Sequence, residues 1–334
     1  MRIAMTLLVR DEVDIVETWL RYHLARGIDV VIATDHRSVD GTSDALREYE
    51  RQGRIVVLRE EGDIVRQSEW MSRMSRLAAL EHGADWVVPS DADEFWWPRA
   101  GSFAEVLASV PARFGVVRGL LRNFVLRPGD EPPLERLVVR TRPAPDLTSQ
   151  YHAQLKVAHR AVPDATVGIG NHDVEGSGLA VIREWFPFEV LHFPLRTVAQ
   201  LEDKFRRRPT TGQHTERAVA LLAEDRLDVL LAEALVDDAA LATGLAGGTL
   251  VEDTRLRDAM RALDADGALP PPRPPTLADD ADLALDAEIV LGRDSATIAE
   301  RRCTELERAV AILEQRPLVA RAARRFTGPG GAGR

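Results

Sequence analysis

The chain has 334 residues, 45% of them hydrophobic and 29% charged, which suits one large domain with a smaller appendage and a sizeable core. Its net charge of -10 excludes a general nucleic-acid binder, which carries a basic face, so an anionic ligand must be held by a local cluster or a metal. The single cysteine, Cys303, forms no internal disulfide, the opening MRIAMTLLVRDE is charged where a signal peptide is apolar, and no stretch reaches the ~20 apolar residues of a membrane span. A cytoplasmic location is the expectation.

The first hundred residues alternate strand and helix. IAMTLLV at 3–9 is an apolar run bounded by charge, as in a buried parallel strand, and 14–26 carries Ile15, Val16, Trp19, Leu20, His23 and Leu24 at helical spacing before Gly27. DVVIATD is a second strand, a helix begins at Thr42, RIVVLRE is a third strand, 65–82 is helical, and ADWVVPSD is a fourth strand running into DADEF. This alternation predicts a parallel α/β sheet with helices on both faces. From 112 to 195 the apolar segments shorten to GVVRGLL, RLVVRT, LKVAHR and LAVIRE, which predicts a mixed sheet with long loops. A helical region follows at 216–316, with the stiff spacer PPPRPP at 270–275, and a basic tail at 317–334 completes three divisions whose first is 1–215. The C-terminal helices offer a surface for a homodimer, and RPLVARAARRF at 316–326 is basic and amphipathic, a pattern suited to weak membrane-surface contact.

The chemistry concentrates in DADE. Continued as a strand, it points Asp91 and Asp93 the same way across Ala92, and two such carboxylates repel unless a divalent cation lies between them. Magnesium and manganese take one or two protein carboxylates and complete their shell with phosphate oxygens and water. The alternative is that DADE caps a following helix, whose N-terminus favours carboxylates.

Three segments occur in order: VRDE at 9–12 ahead of ETWLRYHLARGID, ATDHRSVDGTSD at 33–44, and HGADWVVPSDADEF at 82–95. In order and spacing they resemble the family-two glycosyltransferases and their relatives with the GT-A fold, in the branch with a D-x-D-E-F motif, over about residues 2–205. The resemblance implies a Rossmann-like mixed sheet with a helical C-terminal appendage. It also implies an inverting, metal-dependent transfer from a nucleotide diphosphate sugar of the uridine type, with Mn2+ or Mg2+ as cofactor. By the same likeness Asp35 contacts the donor base, Val9, Asp11 and Glu12 line that pocket, and Asp91 and Asp93 hold ribose and metal. Asp11 stands where the family has asparagine, and His36 and Arg37 replace small residues, so the identity of the base stays open.

VLHFPLRTVAQLEDKFRRRP at 190–209 resembles the family's histidine-aromatic-proline segment, which makes His192 a third metal ligand and Arg196 and Lys204 partners of the departing diphosphate. An inverting transfer needs a carboxylate base, for which Asp173, in the glycine-flanked GIGNHDVEG, Glu184 and Glu189 are candidates. His152, Lys156 and His159 read as surface residues of a strand. The acceptor, whether glycan, lipid or small molecule, is not legible. A sugar nucleotidyltransferase is disfavoured by the lack of a glycine-rich phosphate loop after the first strand, and a non-catalytic nucleotide-sugar or carbohydrate-binding protein is the other alternative.

Overall fold

A computed structural model of the protein describes residues 1–129, 131–142, 153–200, 224–272 and 277–314. The strands are β1 (Ile3–Val9), β2 (Val30–Asp35), β3 (Ile55–Arg59), β4 (Trp86–Asp91), β5 (Glu94–Pro98), β6 (Val116–Asn123), β7 (Val139–Thr141), β8 (Leu155–Arg160), β9 (Thr166–Val167), β10 (Val174–Glu175), β11 (Phe188–His192) and β12 (Leu250–Glu252). The helices are α1 (Val16–Ala25), α2 (Thr42–Arg51), α3 (Gln67–Leu80), α4 (Phe103–Ala108), α5 (Pro133–Arg136), α6 (Leu227–Ala234), α7 (Asp238–Gly247), α8 (Arg255–Asp266) and α9 (Leu277–Glu314). The chain divides into two compact units, Met1–Ala287 and Glu288–Arg334. No helix among the described residues is long and apolar enough to cross a membrane.

The first unit is a mixed α/β structure built on an eight-stranded sheet of order β3-β2-β1-β4-β8-β6-β11-β5. β3, β2, β1 and β4 are parallel, as their continuous apolar runs predict. β8 then runs antiparallel to both β4 and β6, β11 is parallel to β6, and β5 closes the far edge antiparallel to β11. Two expectations need correction. LAVIRE is no strand: within it only Val181 makes an isolated bridge, to Val116. DADE neither continues β4, which would have pointed Asp91 and Asp93 the same way, nor opens the alternative helix: β4 ends at Asp91, Ala92 and Asp93 form a turn, and the chain continues as β5, because the aromatic run Phe95–Trp97 pairs with β11.

That turn shows how strongly the sheet curls. β4 and β5 lie four places apart in hydrogen-bonding order, a flat separation of ~19 Å at ~4.8 Å per strand. Yet Asp91 and Glu94 are three residues apart, which a chain spans with at most ~11 Å. The sheet therefore bends until its edge strand returns beside its centre.

Helix α1 covers the free edge of β5. Trp19 Nε1 donates to Glu94 O at 2.8 Å, Tyr22 Oη donates to Trp96 O at 3.1 Å, and Trp96 N donates to His23 Nε2 at 3.1 Å. His23 Nδ1 in turn donates to Trp19 O at 3.0 Å. Burial pushes the His23 imidazolium down to about 3, so the ring stays neutral and Nε2 can accept. An unpaired edge exposes backbone groups that need partners, and three helix side chains supply them here. Their rings also pack the core: Tyr22 stacks on Trp97, and His23 on Phe95. The region beyond 216 contributes β12, which pairs with β7, and α8, whose Arg255 reaches Glu189.

Candidate functional site

The loops at the carboxyl ends of β1, β2 and β3 meet in one pocket of about 560 Å3, whose lining includes Asp11, Asp35, Arg37, Ser38 and Ser43. In open α/β sheets ligands bind at this end of the strands. Asp35 is buried, accepts from Ser38 N at 3.2 Å and from the Ser43 hydroxyl, and lies opposite Val9 in the β1–β2 register. Asp11 accepts from Val39 N at 2.8 Å. Thr42 Oγ1 accepts from Glu12 N at 2.8 Å, which binds the β1–α1 loop to the start of α2. At Gly41, φ is 108°, and a Cβ would lie 3.3 Å from Val13, so glycine permits both the left-handed backbone and the close approach. Three of the four described non-glycine residues with positive φ, Asp11, Arg37 and Asn171, lie in loops around the site, where strained backbone often accompanies function.

Beside this pocket stands the carboxylate cluster. Ligand atoms of Asp93, Glu94 and His192 lie within 4.8 Å of one another, and His192 Nε2 is 3.6 Å from Asp93 Oδ2. Sheet register explains the grouping: His192 lies opposite Glu94 on β5 and opposite Asn123 on β6. The Asn123 Oδ1 accepts from His192 Nδ1 at 2.7 Å, leaving Nε2 with its lone pair toward Asp93. Phe193 N donates to Asp93 O at 2.8 Å and ties the turn to the end of β11. Two carboxylates and one imidazole form a hard donor set that suits manganese or magnesium.

Two buried cations, Lys156 and Arg196, meet the acids of this region. Lys156, 4% exposed, donates to Glu94 Oε1 at 2.5 Å and Gly170 O at 2.6 Å, and lies 3.5 Å from Asp91 Oδ2. Burial works against its charge, but Glu94 and Asp91 outweigh that and hold the ammonium above its ordinary range. Burial lifts the Glu94 carboxyl to about 8, with Asp91 and Asp93 adding to the rise and Lys156 opposing it. Glu12 is likewise lifted to about 8 by burial, against Arg196 and with Asp93 and Asp14 adding. Arg196 is buried and divided between Glu12 and Asp14, with Nε 2.7 Å from Asp14 Oδ2. Carboxylates that outnumber their cations and are pushed toward protonation are where a divalent ion gains most.

Comparison with known proteins is sparse. No family model matches the chain, and no curated protein matches it. Solved structures do. The chain is similar to S. aureus TarS 1-349 in complex with UDP, with 12% identity, 57% of this chain and 60% of that one covered, and a TM-score of 0.33. It is similar to the Mycobacterium tuberculosis glucosyl-3-phosphoglycerate synthase in complex with Mg2+ and UDP, with 18% identity, 36% and 43% covered, and a TM-score of 0.27. For a protein described as mycobacterial the values are 20% identity, 36% and 41% covered, and 0.28. The matches thus span about two fifths to three fifths of those chains.

The structure brings some of the sequence-predicted residues together and separates others. Asp11 and Asp35 line the pocket at the ends of β1 and β2, Val9 lies opposite Asp35 in register, Glu12 is paired with Arg196, and Asp93 and His192 are adjacent. Asp91 is turned instead toward Lys156 and Gln67, whose Nε2 donates to Asp91 Oδ1 at 3.4 Å. Asp173 is exposed and set tightly against Gly168, where a Cβ would lie 1.6 Å from its carboxylate, and Glu184 is exposed on the loop before β11. Glu189 alternates with His192 to the opposite side of β11, where it is paired to Arg122 and Arg255. Lys204, Arg206–Arg208, His152 and the 317–334 tail lie outside the described residues.

Lys156 and His159 need correction as surface residues: β8 lies inside the sheet and both side chains are buried. Glu94, Asn123 and Lys156 are the site residues that motif reading missed. Of these, only Glu94 belongs to a recognised motif.

Proposed function

We propose that the protein is a glycosyltransferase of GT-A type that transfers a sugar from a nucleoside diphosphate donor, uridine being the favoured base, with a divalent cation at Asp93 and His192. One observation carries the reading: Asp93 and His192, far apart in sequence, converge at 3.6 Å beside the pocket formed by Asp11 and Asp35 at the carboxyl ends of the parallel strands. A donor placed there would set its base near Asp35 and its diphosphate near the cluster. The cation would offset charge on the leaving diphosphate. The chain's own residues perform the rest: Asn123 fixes the histidine ring, Lys156 holds Asp91 and Glu94, and Arg196 anchors Glu12. Asp173 or Glu184 is the base in this reading, since Glu189 is committed to arginines. The three segments shared with the family-two enzymes support the same reading.

Calorimetric titration with UDP tests it. Binding should require added Mn2+ or Mg2+, because the diphosphate would otherwise meet crowded carboxylates. Equal affinity in excess chelator would remove the metal from the proposal. Donor hydrolysis in the presence of the cation separates a transferase from a binding protein.

A further inference from the structure

We propose that Lys156 is a positioning residue that keeps Glu94 out of the cation's shell, so that Asp93 and His192 hold the metal and its other positions stay open to diphosphate oxygens. This rests on the metal-dependent reading above.

Glu94 is near enough to be a ligand, since it belongs to the group whose donor atoms lie within 4.8 Å. Both of its oxygens are nevertheless engaged. Oε1 accepts from the Lys156 ammonium at 2.5 Å, and Oε2 accepts from Asp91 N at 3.2 Å. Lys156 has little freedom to release it, because Gly170 O at 2.6 Å and Asp91 Oδ2 at 3.5 Å take its remaining donors, and the side chain is buried. Gly170 is itself held, as its N donates to Gln67 Oε1 at 3.2 Å. A lysine fixed on three sides is a permanent cation beside the place where a mobile one must bind. Its charge repels a divalent ion at close range and makes metal binding lean on the incoming diphosphate. A shell with few protein ligands is also the one in which magnesium and manganese accept phosphate oxygens.

Two variants test this by counting free Mn2+ with electron paramagnetic resonance, with and without UDP. Lys156→Met retains the stem and frees Glu94. Mn2+ affinity without nucleotide should rise by roughly tenfold or more, because a ligand is released and a nearby repelling charge is removed, while the factor by which UDP tightens Mn2+ binding shrinks. An unchanged or weaker affinity in the folded variant overturns the proposal, since a lysine that only packs would lower the melting temperature without strengthening metal binding. Removing the lysine alone strands a buried carboxylate, so Lys156→Met with Glu94→Gln removes both charges together. If Glu94 is no ligand, Mn2+ affinity of this double variant stays within about threefold of the unmutated protein, whereas losing a real ligand costs roughly tenfold or more. A tenfold loss there overturns the proposal independently of the single variant. An unmutated protein that binds no Mn2+ even with UDP removes the metal reading itself, a failure visible before any substitution.

Discussion

Two buried charge networks flank strand β11, and they are built on opposite plans. Around His192 the described cations that meet the acids Glu12, Asp91 and Glu94 are Lys156 and Arg196, and burial drives Glu12 and Glu94 up to about 8. Around Glu189 arginines meet the acids one for one. Arg122 bonds Glu189 at 2.5 Å and also bonds Asp286, Arg255 joins Glu189 at 2.6 Å to Asp253 at 2.8 Å, and Arg140 bonds Asp253 at 3.0 Å. Although burial alone would raise it, the two arginines hold the Glu189 carboxyl well below its ordinary range. A pocket of about 390 Å3 opens beside this second network. Its Trp97 is only 5% exposed, stacked on Tyr22 and covered by Arg26 and Arg255, so no ring face is free for a ligand. Arginines that bridge acid to acid serve structure, whereas carboxylates gathered around a histidine offer ligands to a cation.

The largest effect expected from breaking this contrast is at Asp93. Asp93→Asn keeps size and shape but removes the charge beside His192, and turnover should fall at least ~100-fold, the scale of one lost electrostatic contact to a transition state. The melting temperature should hardly move, because the residue sits half-buried in a turn between two strands and Asn keeps its size and shape. Near-normal turnover in a steady-state assay would withdraw the main support for the site.

At Glu189 the pattern should invert. Glu189→Gln leaves Arg122 and Arg255 facing a neutral partner, and urea unfolding should show a loss of about 3 kcal/mol or more, as for other broken buried ion pairs. Mn2+ and UDP affinities of the folded protein should stay within about twofold, on the premise that separate networks act additively. If stability holds and turnover collapses instead, Glu189 is the catalytic base and the contrast drawn between the networks fails.

The smallest effect is on pH dependence without metal. Glu12 and Glu94 have folded values near 8 against an ordinary 4.5, so the native state binds protons more tightly than the unfolded chain. Their contribution is complete below about 4.5 and fades as pH rises toward 8. Glu189 has the reverse sign, and its contribution fades only on the acid side, as pH falls below the ordinary range. Because the buried neutral His23 and His159 add stability in the opposite sense as pH rises, the readout is the gain in melting temperature on adding Mg2+, which should grow between about pH 5 and 8 as Glu12 and Glu94 ionise. A gain that does not change over that range would show that Mg2+ does not meet these carboxylates.

Much of this was legible because of how the first four strands are built. Strands buried on both faces read as unbroken apolar runs, and IAMTLLV, DVVIATD, RIVVLRE and ADWVVPSD each became a strand. What failed depended on pairing at long range. Glu94 to Pro98 looked like the end of a motif because only its partner β11, some ninety residues on, makes it a strand. LAVIRE has the composition of a strand but lacks a neighbour to pair with along its length. Lys156 seemed exposed because alternation gives every strand two faces, yet a strand in the interior of a covered sheet has no face left for water. Asn123 belongs to no motif and gains its role only through register with His192.

The tight Ala92–Asp93 link has a consequence for which sequences this architecture tolerates. One residue inserted there would move β5 by one place against β11 and turn Glu94, Phe95, Trp96 and Trp97 to the wrong sides of the sheet. One residue deleted would shift the register by one place as well. The separation between the two aspartates is thus set by the closure of the sheet as much as by the chemistry of a cation, and the intervening Ala92, itself buried, leaves room for only a small side chain.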